Sequence, residues 1–119
     1  MDESILSSIK KLLGIDSFDD SFDVDIIIHI NTILANLIQM GIGPSEGFMI
    51  SGYCEVWGDF ISNDKLLVQV KSYVYLKVKL LFDPPTSSNL LESFKQLAQE
   101  LEWRLYIERD NKINPLIGD

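Results

Sequence analysis

Two amphipathic patterns on either side of a proline pair constrain the second half of this chain more than any other feature. Apolar residues recur at three- and four-residue spacing before the corner at Phe82-Asp83-Pro84-Pro85 (Leu67, Val70, Val74, Val78, Leu81) and after it (Leu90, Phe94, Leu97, Leu101, Leu105). Such spacing places each set on one face of a helix. The two prolines fix two φ angles and remove two backbone donors, so the first helix must end there. Residues 64–109 are therefore predicted to form a helical hairpin.

The first forty residues predict two more helices. A short amphipathic helix over residues 3–13 is expected to end at Gly14, which can adopt the left-handed conformation. A second helix over residues 22–40 has so wide an apolar surface that it is predicted at the centre of a bundle (Val24, Ile27, Ile28, Ile30, Leu34, Leu37, Ile38). Asp19, Asp20 and Ser21 are expected to cap this helix, and Asn89 with Glu92 to cap the last one.

The predicted fold is all-α, a four-helix bundle with a long irregular central loop. That loop, residues 41–62, holds most of the glycines, and loops of this length are usually functional or mobile. Within it, a short β-hairpin could form about Ser51-Gly52. Residues 1–109 are expected to be one helical domain, and residues 110–119 an extended C-terminal tail, because Pro115 cannot continue a helix.

The charge of the chain limits the kinds of partner that it can bind. Eighteen acidic residues against ten basic ones give a net charge of −8, which argues against binding nucleic acid through its phosphates or an anionic membrane surface. Residues 1–64 carry −9 and residues 65–119 carry +1. Either both halves present ordinary solvated faces, or an acidic face of one copy meets a more basic face of the next in a ring.

Residues that could carry chemistry do not converge on a site. His29 lies among isoleucines and is expected in the core or on a helix flank, and Cys54 is expected to be a small apolar filler. The acidic run at residues 16–25 lacks the glycine and terminal glutamate of a calcium loop. The glycines at residues 41–47 lack the Gly-Lys-Ser/Thr of a phosphate loop. The sequence predicts no enzyme, no cofactor and no metal site.

The aromatic residues point instead to packing and interfaces. Tyr and Trp near lysines could stack bases, but the acidic charge favours a core or a subunit interface for them. Trp103, Arg104 and Lys71 are the predicted subunit-interface residues. The tail, residues 110–119, is more apolar than a solvated segment usually is, because it contains Ile113, Leu116 and Ile117. These three residues are predicted to bind a partner.

Two strings in the second half carry a family resemblance. They are Val74-Tyr75-Leu76-Lys77-Val78-Lys79-Leu80-Leu81-Phe82-Asp83-Pro84-Pro85 and Glu100-Leu101-Glu102-Trp103-Arg104-Leu105. In this order they resemble head–tail connector (adaptor) proteins of long-tailed bacteriophages and prophages. The first half is also similar, at Leu12-Leu13-Gly14-Ile15, His29-Ile30-Asn31, Gly41-Ile42-Gly43-Pro44-Ser45-x-Gly47-Phe48 and Trp57-x-x-Phe60. The resemblance covers roughly residues 1–109.

The resemblance implies a structural role in the virion. In that family the protein forms a ring, commonly of twelve copies, beneath the portal protein. The ring extends the DNA channel and docks the head-closure (stopper) protein and the tail, while DNA passes through without specific binding. Assembly would take place in the host bacterial cytoplasm, without a membrane. The tail residues would then contact the portal or the stopper. The alternative is an acidic helical regulator or nucleic-acid mimic that binds a basic partner protein.

Overall fold

The chain folds into five helices that succeed one another along the sequence. The structure is a computed structural model that describes residues 3–113, with side-chain surroundings for residues 3–109. The helices are α1 (Ile5–Leu13), α2 (Asp23–Gln39), α3 (Trp57–Phe60), α4 (Asp64–Phe82) and α5 (Ser88–Ile113). The prediction of an all-α fold is confirmed. The hairpin about Ser51-Gly52 is wrong, because no strand forms within residues 3–113, where an isolated bridge joins Ser4 to Val56.

Local sequence sets most of the helix ends. The Ser4 hydroxyl accepts a hydrogen bond from the Ser7 amide at 3.2 Å, and Gly14 ends α1 with a φ of 80°, as predicted. The side chain of Asn63 accepts from the amides of Lys65 and Leu66 at the start of α4. These bonds satisfy amides that would otherwise have no partner in the first turn.

Two predicted caps are wrong. Among the described residues, no side chain caps α2. The Asp19 carboxylate instead accepts bonds from the Ser21 amide and hydroxyl and closes its own turn. The start of α5 is capped by Ser87, whose hydroxyl accepts from the Leu90 amide at 3.4 Å, rather than by Asn89. A serine directly before the first turn is well placed for this bond, whereas Asn89 already lies inside the helix.

The central helix is α4, not α2. It packs against α1 and α2 on one side and against α5 on another, while α5 packs mainly along α4. Because α5 packs mainly along α4, the predicted arrangement as a four-helix bundle is not confirmed. On α2 one face is buried (Ile26, Ile30, Ile33, Leu34, Leu37), but Val24 and Ile28 are exposed. The width of the apolar surface on α2 therefore signals a second, solvent-facing apolar face.

Three of the five residues in the predicted stripe on α5 (Phe94, Leu101, Leu105) are on its less exposed face, but at the other two positions that face is displaced by one residue. The less exposed apolar residues are Leu91, Phe94, Ala98, Leu101 and Leu105, whereas Leu90 and Leu97 are 48% and 46% exposed. On α4, Leu81 is also half exposed, whereas the next residue, Phe82, packs against the core. The helix continues through residues 110–113, which the sequence predicts as extended tail. Leu116 and Ile117 lie outside the described residues.

The 41–62 connection is pinned to the helices. The side-chain amide of Asn31 on α2 donates to the Ile50 carbonyl at 3.0 Å and accepts from the Ile50 amide at 2.8 Å. Gly43 has a φ of 99°, and a Cβ there would lie 2.6 Å from the Phe60 ring, so only glycine fits. Trp57 is fully buried, and its indole donates to the Ser8 hydroxyl at 2.8 Å. The long loop is therefore part of the core rather than a loose insertion.

Candidate assembly surfaces

A buried lysine fixes the acidic connection between α1 and α2. Lys10 is 1% exposed, and its ammonium donates to the Asp19 carbonyl at 2.7 Å and to the Tyr53 hydroxyl at 2.8 Å. It also forms an ion pair with Asp23 at 2.9 Å. Tyr53 in turn donates to the other carboxylate oxygen of Asp23. The buried ammonium is thus compensated by two hydrogen bonds and one ion pair, as a buried charge requires.

The electrostatics of this network favour the charged forms. Burial disfavours the ammonium of Lys10, but hydrogen bonds with Tyr53 and Asp23 outweigh it, so the pKa of Lys10 is raised. Burial likewise disfavours the carboxylate of Asp23, yet hydrogen bonds from Tyr53 and Lys10 lower its pKa. The ion pair therefore persists across the neutral range and ties α1, the start of α2 and the central loop together.

The network presents the first candidate surface, which we call the acidic turn (residues 16–20). Its Phe18 side chain is 95% exposed, and the Phe18 amide donates to the Asp16 carboxylate at 2.8 Å. The Asp19 carbonyl is held by Lys10. A nearly fully exposed phenylalanine in an ordered acidic turn is a side chain that a partner can cover.

The second surface is a shallow groove beside α2. A shallow cavity of ≈ 470 Å³ is lined by Ala35, Ile38, Glu46, Gly47, Phe48 and Met49. We call it the α2 groove. Met49 is 72% exposed at its edge. Ile28, two turns before Ala35 on the same helix, is also exposed. The groove depends on Asn31, because that side chain holds the 48–50 segment against α2.

The third surface is the α5 outer face, formed by Trp103, Tyr106 and Ile107. Trp103 is 65% exposed, and its neighbours three and four residues on are also exposed. On the inner side of the same helix, the Tyr73 hydroxyl donates to Glu102 at 2.9 Å and fixes α5 against α4. Burial, followed by the hydrogen bond to Glu102, raises the pKa of Tyr73, so the hydroxyl keeps its proton.

Arg109 ties the end of α5 to the end of α2. Its guanidinium donates to the Met40 carbonyl at 2.8 Å, where the carbonyl end of a helix favours a cation. The same guanidinium lies 5.1 Å from the centre of the Tyr106 ring. The far end of α5 is thereby held in place beside the α5 outer face.

The predicted interface residues do not form one patch. Trp103 and Arg104 are both exposed on α5, and Arg104 pairs with Glu100 at 2.6 Å. Lys71 is half-buried instead, with its ammonium 5.8 Å from the centre of the Trp57 ring, and it lines a separate pocket beside α1. Phe18 and Met49 are not predicted, although an isolated phenylalanine between aspartates is a signal that could have found the first.

His29 and Cys54 are the other residues that could carry chemistry, and neither lies within the core. His29 is half-buried on the flank of α2, 6.4 Å from the Phe82 ring. Cys54 is exposed, so its expected role as an apolar filler is wrong; it lies on the surface of the central loop. Among the side chains described, those of residues 3–109, no three of His, Cys, Asp or Glu lie close enough together to hold a metal ion. Over the same residues, no helix is long and apolar enough to span a bilayer.

Comparison with known proteins identifies the family. A family model described as phage connector protein matches residues 5–112, which runs from the first residue of α1 almost to the end of α5. No curated protein and no solved structure matches the chain. The family is structural, and its members interact with other head and tail proteins of the phage. The chain therefore belongs to the phage connector protein family and is a virion structural protein of the head–tail connector.

Proposed function

We propose that the protein forms a closed ring beneath the portal protein, where it extends the DNA channel and docks the head-closure protein and the tail. The family match over residues 5–112 is the observation that carries this proposal. Twelve copies per ring is the number that the resemblance implies. The acidic net charge of −8 supports a lumen through which DNA passes without binding.

The surface of the described residues supports assembly. The acidic turn, the α2 groove and the α5 outer face each expose large apolar side chains on a chain whose core is otherwise well filled. A ring subunit needs two lateral contacts with its neighbours and further contacts above and below. Several separate apolar surfaces on one small protein are what such a position requires.

If the protein forms a ring, the mass of its oligomer should change in a defined way when portal protein is added. Native mass spectrometry of the purified protein is expected to give a single closed oligomer at high concentration or on addition of portal protein, and monomer when dilute. Higher salt is expected to weaken the oligomer, because its exposed charges are screened. An acidic regulator would instead stay monomeric or dimeric under all these conditions, and that result would reject the ring.

The C-terminal segment is proposed to bind the portal. Deleting residues 114–119 removes Leu116 and Ile117 but keeps all of α5, which ends at Ile113. We expect melting to be unchanged and co-purification with portal protein to be lost, since burying apolar side chains of this kind contributes about 1.5–3 kcal/mol each before ordering costs.

A matched variant shows whether portal binding depends on the apolar side chains or on the length of the segment. Leu116→Ser with Ile117→Ser keeps the segment and should weaken portal binding in the same direction as the deletion. If the deleted protein binds portal with the affinity of the full chain, the segment has no part in docking.

A further inference from the structure

We infer that a small pocket between α1 and α4 binds the carboxylate of an acidic segment from a head or tail protein of the phage. The pocket, which we call the lysine pocket, has a volume of ≈ 190 Å³ and is lined by Glu3, Ser8, Lys11, Leu12, Trp57 and Lys71. The inference goes beyond the proposed ring, because it concerns the chemistry of one docking site and not the number of copies that assemble.

The lysine pocket brings together two ammonium groups from distant parts of the chain. Lys11 lies on α1, and Lys71 lies on α4. Within residues 3–109, neither ammonium forms an ion pair or a hydrogen bond. Lys71 is half-buried, and its ammonium lies 5.8 Å from the centre of the Trp57 ring, which is a weaker partner than a carboxylate. Two like charges that share a pocket repel each other, so an anion between them is favoured.

The inner wall of the pocket leaves these two lysines as the side-chain donors for a ligand. The buried Ser8 hydroxyl donates to the Ile5 carbonyl at 2.9 Å and accepts from the Trp57 indole at 2.8 Å, so its proton is already used. The indole proton of Trp57 is used in the same bond. A ligand that enters the pocket therefore meets two ammonium groups beside an aromatic ring. Partial burial of Lys71 strengthens its attraction for an anion, because water screens the pair less than at an open surface.

The surroundings favour a protein carboxylate over a nucleic-acid phosphate. Glu3 places one carboxylate at the pocket, and residues 1–64 as a whole carry −9. Double-stranded DNA carries one charge per about 1.7 Å of its axis, so its other phosphates would be repelled by these acids. A single Asp or Glu side chain brings one charge only. Leu12 is 53% exposed at the same pocket and offers an apolar contact to a residue beside that acid.

Nuclear magnetic resonance with a matched pair of small peptides tests the pocket. The probes are acetyl-Glu-Leu-amide and acetyl-Gln-Leu-amide, which differ in the carboxylate alone. The chain has two indole N–H signals, one from Trp57 at the pocket and one from Trp103, which lines a different cavity; a Trp103→Phe variant assigns them. The Glu peptide should shift the Trp57 signal in a saturable way, whereas the Gln peptide should not. The Trp103 signal should stay in place with both.

Variants at the pocket should change the affinity for the Glu peptide in opposite directions. Lys11→Met should weaken binding about threefold, because Lys11 is exposed. Lys71→Met should weaken it about tenfold, because Lys71 is half-buried. Glu3→Gln should strengthen it about threefold, since it removes a repelling carboxylate. Lys95→Met is the control, because Lys95 is exposed on α5 and does not line the pocket.

A gain in one variant and losses in two others separate binding from folding. If Lys71→Met also loosens Trp57, Lys11→Met and Glu3→Gln still report on the pocket, because both side chains are exposed. Equal shifts with the Glu and Gln peptides, or unchanged affinity in Lys11→Met, would overturn the carboxylate site. A Trp57 shift produced by duplex DNA and not by the Glu peptide would overturn the protein ligand in favour of nucleic acid. These results are distinct from a failure of the ring, which the mass of the oligomer on portal protein measures.

Discussion

Replacing Trp57 with alanine is expected to lower the free energy of unfolding by about 3–5 kcal/mol. The side chain is fully buried between α1 and α4, and its indole donates to the buried Ser8 hydroxyl at 2.8 Å. Truncation leaves a cavity and removes the partner of that hydroxyl. The change should also loosen the central loop, since the Trp57 amide bonds to the Glu3 carbonyl beside the bridge between Ser4 and Val56.

The second tryptophan of the chain is the natural control. Trp103 is 65% exposed, so Trp103→Ala should change stability by no more than about 0.5 kcal/mol. Trp57→Phe should fall between the two, because it keeps most of the packing but lacks the indole donor. Urea unfolding followed by circular dichroism measures all three. Equal losses for Trp57→Ala and Trp103→Ala would contradict the placement of Trp57 in the core.

Replacing Lys10 with methionine is expected to cost about 3–5 kcal/mol, although a lysine is normally a surface residue. The substitution keeps the apolar stem but removes the ammonium that serves Asp19, Tyr53 and Asp23. Asp23 then keeps its charge without a cation. Lys11→Met is the matched control, because Lys11 is the next residue on α1 and is exposed. Denaturant unfolding should show a large loss for the first variant and almost none for the second.

The loss caused by Lys10→Met should depend on pH in a defined direction. The pKa of Asp23 is lowered from 3.8, so its contribution is present above that value and is lost as pH falls through the lowered pKa. The pKa of Lys10 is raised from 10.5, so its contribution is present below that value and is lost as pH rises through the raised pKa. The difference between the two proteins should therefore be largest near neutral pH and shrink at both extremes. A difference that stays constant down to about pH 2 would show that the ion pair is not its source.

Local sequence signals predict the helices well where only one signal applies to a position. The prolines at 84 and 85 end α4 at Phe82, and Gly14 ends α1, because both effects depend on the backbone of a few residues. Two positions of the predicted stripe on α5 are displaced because Leu90 and Leu91 are both apolar, as are Leu97 and Ala98. Periodicity alone cannot show which of two adjacent rows of apolar residues is buried. The packing of α5 against α4 determines it.

The central loop shows why long-range contacts escape prediction. Residues 48–56 have the composition of a hairpin, but the Asn31 side chain supplies the hydrogen bonds to Ile50 that a partner strand would supply. Asn31 is nineteen residues away in sequence. In the same way, the segments that carry Phe18 and Met49 are held by hydrogen bonds from Lys10 to Asp19 and from Asn31 to Ile50. Trp103 and Arg104 can be predicted as surface residues because α5 is regular, whereas the half-buried position of Lys71 depends on Trp57.

Electron microscopy of the protein mixed with portal protein of the same phage tests the central claim most directly. We predict a closed ring of added density, coaxial with the portal and directly beneath it, with twelve copies and an open central channel. Single copies bound at scattered positions on the portal, or portal rings with no added density, would contradict a connector ring.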